Sequence, residues 1–276
     1  MRSALSAKLF TQLAARVVGL GLLLCLLLGA APAQAAAAWV FRGLTLPRGA
    51  VALDLGLGLG HEPIGTTDRS VTGLGMNLEI AFGISHELEL GLRTGARFGS
   101  DGEFTQADRY GRTFDTETYG TNHDALANPE LRLRWAAAQG SMVKLGLEVR
   151  AYLPIETGSR IGFMFGLPLR LRLGAVRIDT GMYVPVIFYD PTQTAISFPL
   201  HIWLQASRGL WLGPLLGVRI PNSAAGGHTM YPLGFGLGMA LAGAIDLRTW
   251  ILFPDISGDA AARHFGAGVG LQIRFE

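Results

Sequence analysis

From about residue 50 onward, apolar side chains alternate with polar or small ones at a period of two, the pattern of strands whose two faces meet different surroundings. The alternation predicts twelve strands, over about 50–60, 72–84, 87–99, 129–138, 142–155, 161–173, 176–188, 195–206, 210–220, 232–242, 245–254 and 264–275. In the second, Leu74, Met76, Leu78, Ile80 and Phe82 share a face; in the sixth, Ile161, Phe163, Phe165, Leu167, Leu169, Leu171 and Leu173 do. The opposite faces carry Gly, Arg, Glu, Asp, Asn and Tyr. About 70 apolar-face positions hold no Asp, Glu, Lys or Arg, where a random draw at 16% charged would place about eleven.

Two architectures use such a pattern. A soluble sandwich buries the apolar faces between two sheets; a transmembrane barrel turns them to lipid and keeps a polar lumen. Three features favour the barrel. Strands of this length match a tilted crossing of the bilayer, where ~9–11 residues suffice, whereas ordinary strands average ~5–6. Their number is even, as closure of a single antiparallel chain demands. The connections alternate between short turns (near Ser85-His86, Ala138–Ser141, Gly174-Ala175, Ser207–Gly209 and Gly243-Ala244) and mostly longer loops at 61–71, 100–128, 156–160, 189–194, 221–231 and 255–263. The best apolar run after the N-terminus, Leu233 to Ile245, is too short for a spanning helix. In lipid every backbone N–H needs a partner, which leaves a closed sheet. The expected fold is therefore all-β: a 12-stranded antiparallel transmembrane β-barrel.

The stretch "VALDLGLGLG" (Val51 to Gly60) superficially suggests a phosphate-binding loop. The dinucleotide fingerprint needs G-x-G-x-x-G opening a helix, but His61 and Pro63 stand where the third glycine belongs and no helical period follows. It reads instead as a strand with leucines toward lipid and Gly56, Gly58 and Gly60 toward the lumen.

Ahead of the strands, Arg2, Lys8 and Arg16 precede an apolar run from Val17 to Leu28, and Ala33 and Ala35 occupy the small positions of a cleavage site. This is the order of a secretory signal peptide, expected over 1–35. Cys25, the only cysteine, lies inside it, so the mature chain is expected to have no disulfide and no cysteine metal site. A net charge of +2 implies no nucleic-acid partner. Residues 36–48 form either a lead outside the barrel, the ordinary state of an unanchored terminus, or a plug folded into the lumen. The barrel itself is expected over 49–276.

The lumen-facing residues are unevenly spread. Strands 1, 2, 10 and 12 present Gly56, Gly58, Gly73, Gly75, Gly234, Gly236, Gly238, Gly266, Gly268 and Gly270. Strands 3 to 7 present Arg93, Arg97, Arg132, Arg134, Lys144, Arg150, Arg170, Arg172 and Arg177 among Glu87, Glu89, Glu130, Glu148 and Asp179. Arginines so placed would guide carboxylate or phosphate groups bidentately through a narrow pore. The alternative is a closed interior in which the charges pair across strands. Over all strands, twelve basic residues face eight acidic ones, the rest being Arg219, Arg248 and Arg274 against Asp54, Glu79 and Asp246. That surplus favours a pore.

The 100–128 loop carries Asp101, Glu103, Asp108, Asp115, Glu117 and Asp124, a set open to divalent-cation binding or to simple solvation. Phe98, Phe188 and Phe253 at one set of strand ends, with Phe82, Trp135 and Phe275 at the other, suit interfacial girdles. Catalysis finds little support. Ser197 and His201, on one strand face, are ~13 Å apart at ~3.3 Å per residue, too far for a nucleophile and its base. No metal-ligand spacing occurs, and no cofactor is expected.

The terminal "FGAGVGLQIRFE" (Phe265 to Glu276) resembles the assembly signal of bacterial outer-membrane proteins, although Glu276 follows the terminal aromatic. The resemblance implies that Gly270, Leu271, Ile273 and Phe275 are read by the barrel-assembly machinery, and that the chain resides among outer-membrane lipid. The stretch "ANPELRLRW" (Ala127 to Trp135) resembles the outer-membrane family linked to the meta-cleavage pathway of phenol degradation, whose members are presumed channels. Together with the arginine-lined lumen and the lack of a catalytic arrangement, these resemblances lead to the expectation of a non-enzymatic channel for small solutes, anionic or aromatic-acid in character. The alternatives are a structural or envelope-interaction barrel and, less favoured, an outer-membrane hydrolase.

Overall fold

The alternation of faces leaves each strand with one edge to pair on either side, and the chain satisfies both by curling the sheet shut. In a computed structural model, the described residues are 39–63, 70–98, 126–155, 159–222, 228–257 and 263–275. Residues 1–35 and most of the 100–128 loop lie outside them. The twelve strands are β1 (Val51–Pro63), β2 (Ser70–Gly83), β3 (Leu88–Phe98), β4 (Leu126–Gln139), β5 (Val143–Tyr152), β6 (Gly162–Leu173), β7 (Val176–Ile187), β8 (Gln193–Gln205), β9 (Leu210–Pro221), β10 (Leu233–Ala242), β11 (Ile245–Phe253) and β12 (Phe265–Phe275). Each pairs antiparallel with its sequence neighbours, and β12 closes the barrel on β1 from Val51↔Phe275 to His61↔Phe265. No edge strand is left.

Every span marked by the alternation contains a strand. The ends differ most at the loop-bearing rim, where β1 continues to Pro63 opposite Ser70 and β4 begins at Leu126. Backbone pairing there outlasts the alternation of side chains, which was the only signal available in the sequence.

The molecule is greasy outside and ionic inside. Leu57 is 58% exposed and Phe165 53%, whereas Glu148 is 1% and Arg150 2% exposed. At ~25 cal/mol per Å2 such an apolar surface is strongly unfavourable in water and suits a hydrocarbon surround. Trp135, Phe82 and Phe275, all largely exposed, ring the short-turn rim, with Phe188 at the opposite one. In barrels of this kind the short-turn rim is periplasmic. Among the described residues no helix is long and apolar enough to cross a membrane.

Candidate functional site

Charged side chains inside a low-dielectric cylinder require partners, because desolvating an unpaired ion costs several kcal/mol or more. Period-two geometry supplies them across adjacent strands. Arg132 of β4 reaches Glu79 of β2 and Glu89 of β3, both at 2.7 Å. Arg134 pairs with Glu148 at 2.5 Å, and Arg150 bridges Glu148 at 2.8 Å and Glu130 at 3.4 Å. Arg93 lies 3.5 Å from Glu130, while Arg170 and Arg177 share Asp179 at 2.6 Å each. On the far wall Arg248 meets Asp54 at 2.6 Å. Glu130, Glu148 and Asp179 thus each serve two arginines, which leaves guanidinium N–H groups in need of further acceptors.

Those acceptors come from residues 39–47, a strap that lies inside the bore at the short-turn end. Arg134 donates to the Leu44 carbonyl at 3.1 Å, Arg177 to the Trp39 carbonyl at 2.9 Å, and Arg170 to the carbonyls of Arg42 (3.0 Å) and Gly43. The Lys144 ammonium donates to the Phe41 and Arg42 carbonyls at 3.3 and 2.8 Å. In return the Leu46 N–H donates to Glu89 at 2.8 Å, the Leu44 N–H to Gln139 at 3.3 Å, and the Val40 N–H to Gln205 at 3.3 Å. The Arg42 guanidinium grips both oxygens of Asp246 on β11. From Ala50 at the foot of β1 the strap therefore passes β3 and β4, then β5 and β6, and ends against β7, β8, β9 and β11.

Its far end is aromatic. Trp39, in a single 3-10 turn (Trp39–Phe41), stacks flat on Trp211, with centroids 4.9 Å apart and planes within 3°, and meets Trp203 edge-on at 6.4 Å. The guanidinium carbons of Arg177, Arg42 and Arg248 lie 4.5, 5.0 and 5.5 Å from its ring centre, within cation–π range. Arg172 sits 4.5 Å over Phe41. Around the strap is a cavity of about 460 Å3, lined by tryptophans, arginines and carboxylates.

Of the expected lumen cations, Arg93, Arg132, Arg134, Lys144, Arg150, Arg170, Arg172, Arg177, Arg248 and Arg274 contact the charge network or the strap. Arg97 stands in β3 opposite Gly75, but its side chain lies outside the described residues. The sequence reading missed two groups. The first is the row of inward tryptophans, Trp203, Trp211 and Trp250. A Cβ placed at Gly238 would lie 2.2 Å from Trp211, and one at Gly268 2.5 Å from Trp250, so part of the glycine wall is a bed for indole rings. The second group is apolar: Tyr152, Met164 and Ile187 form one fully buried inward cluster, and Leu215 and Leu252 pack with Trp250 in another. Both lie toward the loop-bearing rim. An inward phase holding Tyr, Met and Trp among glycines and arginines was the signal available.

Of the residues weighed for catalysis, Ser197 stands opposite Tyr183 and Arg219, and His201 opposite Asp179 and Leu215. Among the described residues no group of three or more His, Cys, Asp or Glu is placed to hold a metal ion.

Comparison with solved structures decides the architecture. The NanC porin matches with a TM-score of 0.55 at 7% identity, covering 80% of this chain and 98% of that one. The outer membrane channel from Pseudomonas putida F1 matches at 0.54 and 10% identity, covering 88% and 100%. The chain has the fold of an outer-membrane porin. The KdgM porin shares this porin fold at a TM-score of 0.52 and 10% identity over 82% and 99% of the two chains. No family model matches the sequence, and no curated protein matches it either. At such identities the likeness of these porin barrels is one of fold.

Proposed function

We propose that the protein is an outer-membrane channel for small solutes, biased toward anions and narrowed near its periplasmic end by residues 39–47. The observation that carries this reading is the surplus of cationic donors in the bore. Among the described residues Glu89, Glu130, Glu148, Asp179 and Asp246 each serve two arginines, and further donors rest on neutral carbonyls of the strap. A solute carboxylate or phosphate is a stronger acceptor for the same donors, so the ladder of Arg93, Arg132, Arg134, Lys144, Arg150, Arg170, Arg172 and Arg177 supports anion guidance. By resemblance, Gly270, Leu271, Ile273 and Phe275 serve as the signal for the assembly machinery.

Single-channel recording in planar bilayers tests the proposal. Discrete, anion-preferring conductance is expected. Deleting residues 39–47 raises it by roughly twofold or more by removing the constriction, while Arg134→Gln and Arg170→Gln weaken the anion preference. A second reading, a barrel with no conducting pore, is favoured by the shared ion pairs and the strap that occupy the interior. Silent bilayers from folded protein, with and without the strap, would establish that reading in place of the channel.

A further inference from the structure

The seat of Trp39 has the features of a ligand site. A ring lies flat on Trp211 at 4.9 Å, held edge-on by Trp203, with three guanidinium groups around it. Stacking and cation–π contacts of this sort select flat π systems. Yet two indole donors there stay unused. The Trp39 indole N–H finds no hydrogen-bond partner among the described residues. Neither does that of Trp250, whose side chain lines the same cavity at only 6% exposure. An unsatisfied buried donor is costly, and one facing a cavity within the usual ~300–1,000 Å3 of ligand pockets marks a place for an acceptor. The nearby guanidinium groups call for that acceptor to be an anion.

We propose that the cavity beside Trp211 and Trp250 is a binding site for a planar aromatic carboxylate, and that Trp39 is its tethered competitor. The ligand's ring takes the place of the Trp39 indole on Trp211. Its carboxylate accepts from the Trp250 N–H and from the wall guanidinium groups of Arg177 and Arg248 that now face the Trp39 ring. Because Trp39 is the far anchor of the strap, an incoming ligand also loosens residues 39–47. The inference rests on taking the lumen as a solute path, and it adds a binding site on that path and the residue that competes for it.

The test is calorimetric titration of the detergent-folded full-length barrel with benzoate, cyclohexanecarboxylate (same charge, no π system) and toluene (ring without charge). Benzoate is expected to bind at least roughly tenfold more tightly than either control. In Trp39→Leu, benzoate binding tightens by about tenfold, because the competent state no longer has to be won from the indole. In Trp250→Phe, which keeps the ring and loses the donor, it weakens by about fivefold. Trypsin cleavage after Arg42 in the native barrel accelerates when benzoate is added. Folding of each variant is checked by its gel migration before and after heating. Equal affinity for benzoate and cyclohexanecarboxylate would overturn the proposal, as would loss of benzoate binding in folded Trp39→Leu. Absence of binding at millimolar benzoate would do the same. A barrel that binds benzoate but stays silent in bilayers defeats the channel reading alone, whereas a conducting barrel blind to benzoate defeats this inference alone.

Discussion

The interior is built around pairs of one very small and one very large residue. Gly238 and Trp211 face each other across the β9–β10 ladder, and Gly268 and Trp250 across β11–β12. Each indole occupies the volume its partner lacks. Replacing Gly238 by alanine forces Trp211 off the wall and so disturbs the platform under Trp39. The expected cost is about 1–3 kcal/mol, read as a lower unfolding temperature on heat-dependent gel migration. Gly49→Ala, on an exposed turn with positive φ but no atom near its Cβ, leaves Trp211 fluorescence unchanged. At this scale the sequence was half legible. Charge positions follow from strand phase alone, so the arginine ladder could be read directly. A glycine that makes room for a ring on the next strand cannot be told from one that relieves backbone crowding until the register between the strands is known.

At the scale of elements, the hairpins were the most legible part, since strand length, phase and turn length all point the same way. The strap was not. Residues 39–47 have no periodicity, and much of their binding comes from backbone groups that any sequence would carry, with Trp39 and Arg42 adding strong side-chain anchors. The outer connections hold a contact that is equally invisible in sequence. Asp255, just past β11, gathers the Tyr231 N–H at 3.0 Å, the Ser257 hydroxyl at 2.7 Å and N–H at 3.0 Å, and the His228 ring at 2.5 Å. Partial burial pushes its carboxyl up, but these donors outweigh that and hold it at about 2. A carboxyl lowered on folding contributes stability that is fully present above its unfolded value near ~4 and is lost as pH falls toward the folded value. Proteolysis at the β9–β10 connection is therefore expected to rise as pH drops from about 4 to 2, measured with an acid-active protease. Asp255→Asn should be susceptible throughout that range. An unchanged pH profile in the variant would refute the assignment.

For the whole molecule, closure is the governing fact. A cylinder in which both ends of the ladder are paired, β1 with β12 included, has no frayed edge from which to unzip. It should resist detergent until heated, so that unboiled protein runs apart from boiled protein on a gel. Removing Phe275, at the foot of that seam, should reduce the heat-sensitive fraction recovered from membranes. If the two bands coincide, the closed barrel is wrong. The global fold was legible because lipid on one side and a shut ring on the other impose the same period on all twelve strands. What fills the ring was not, since filling depends on contacts between residues far apart in the chain. The strap also differs in kind from everything around it. Among the described residues, none of the bonds that fasten the stretch from Trp39 to Leu46 to the wall belongs to the strand ladder. The passage can thus be emptied without breaking a single rung, and the wall's rigidity and the freedom of its contents are set by separate groups of atoms.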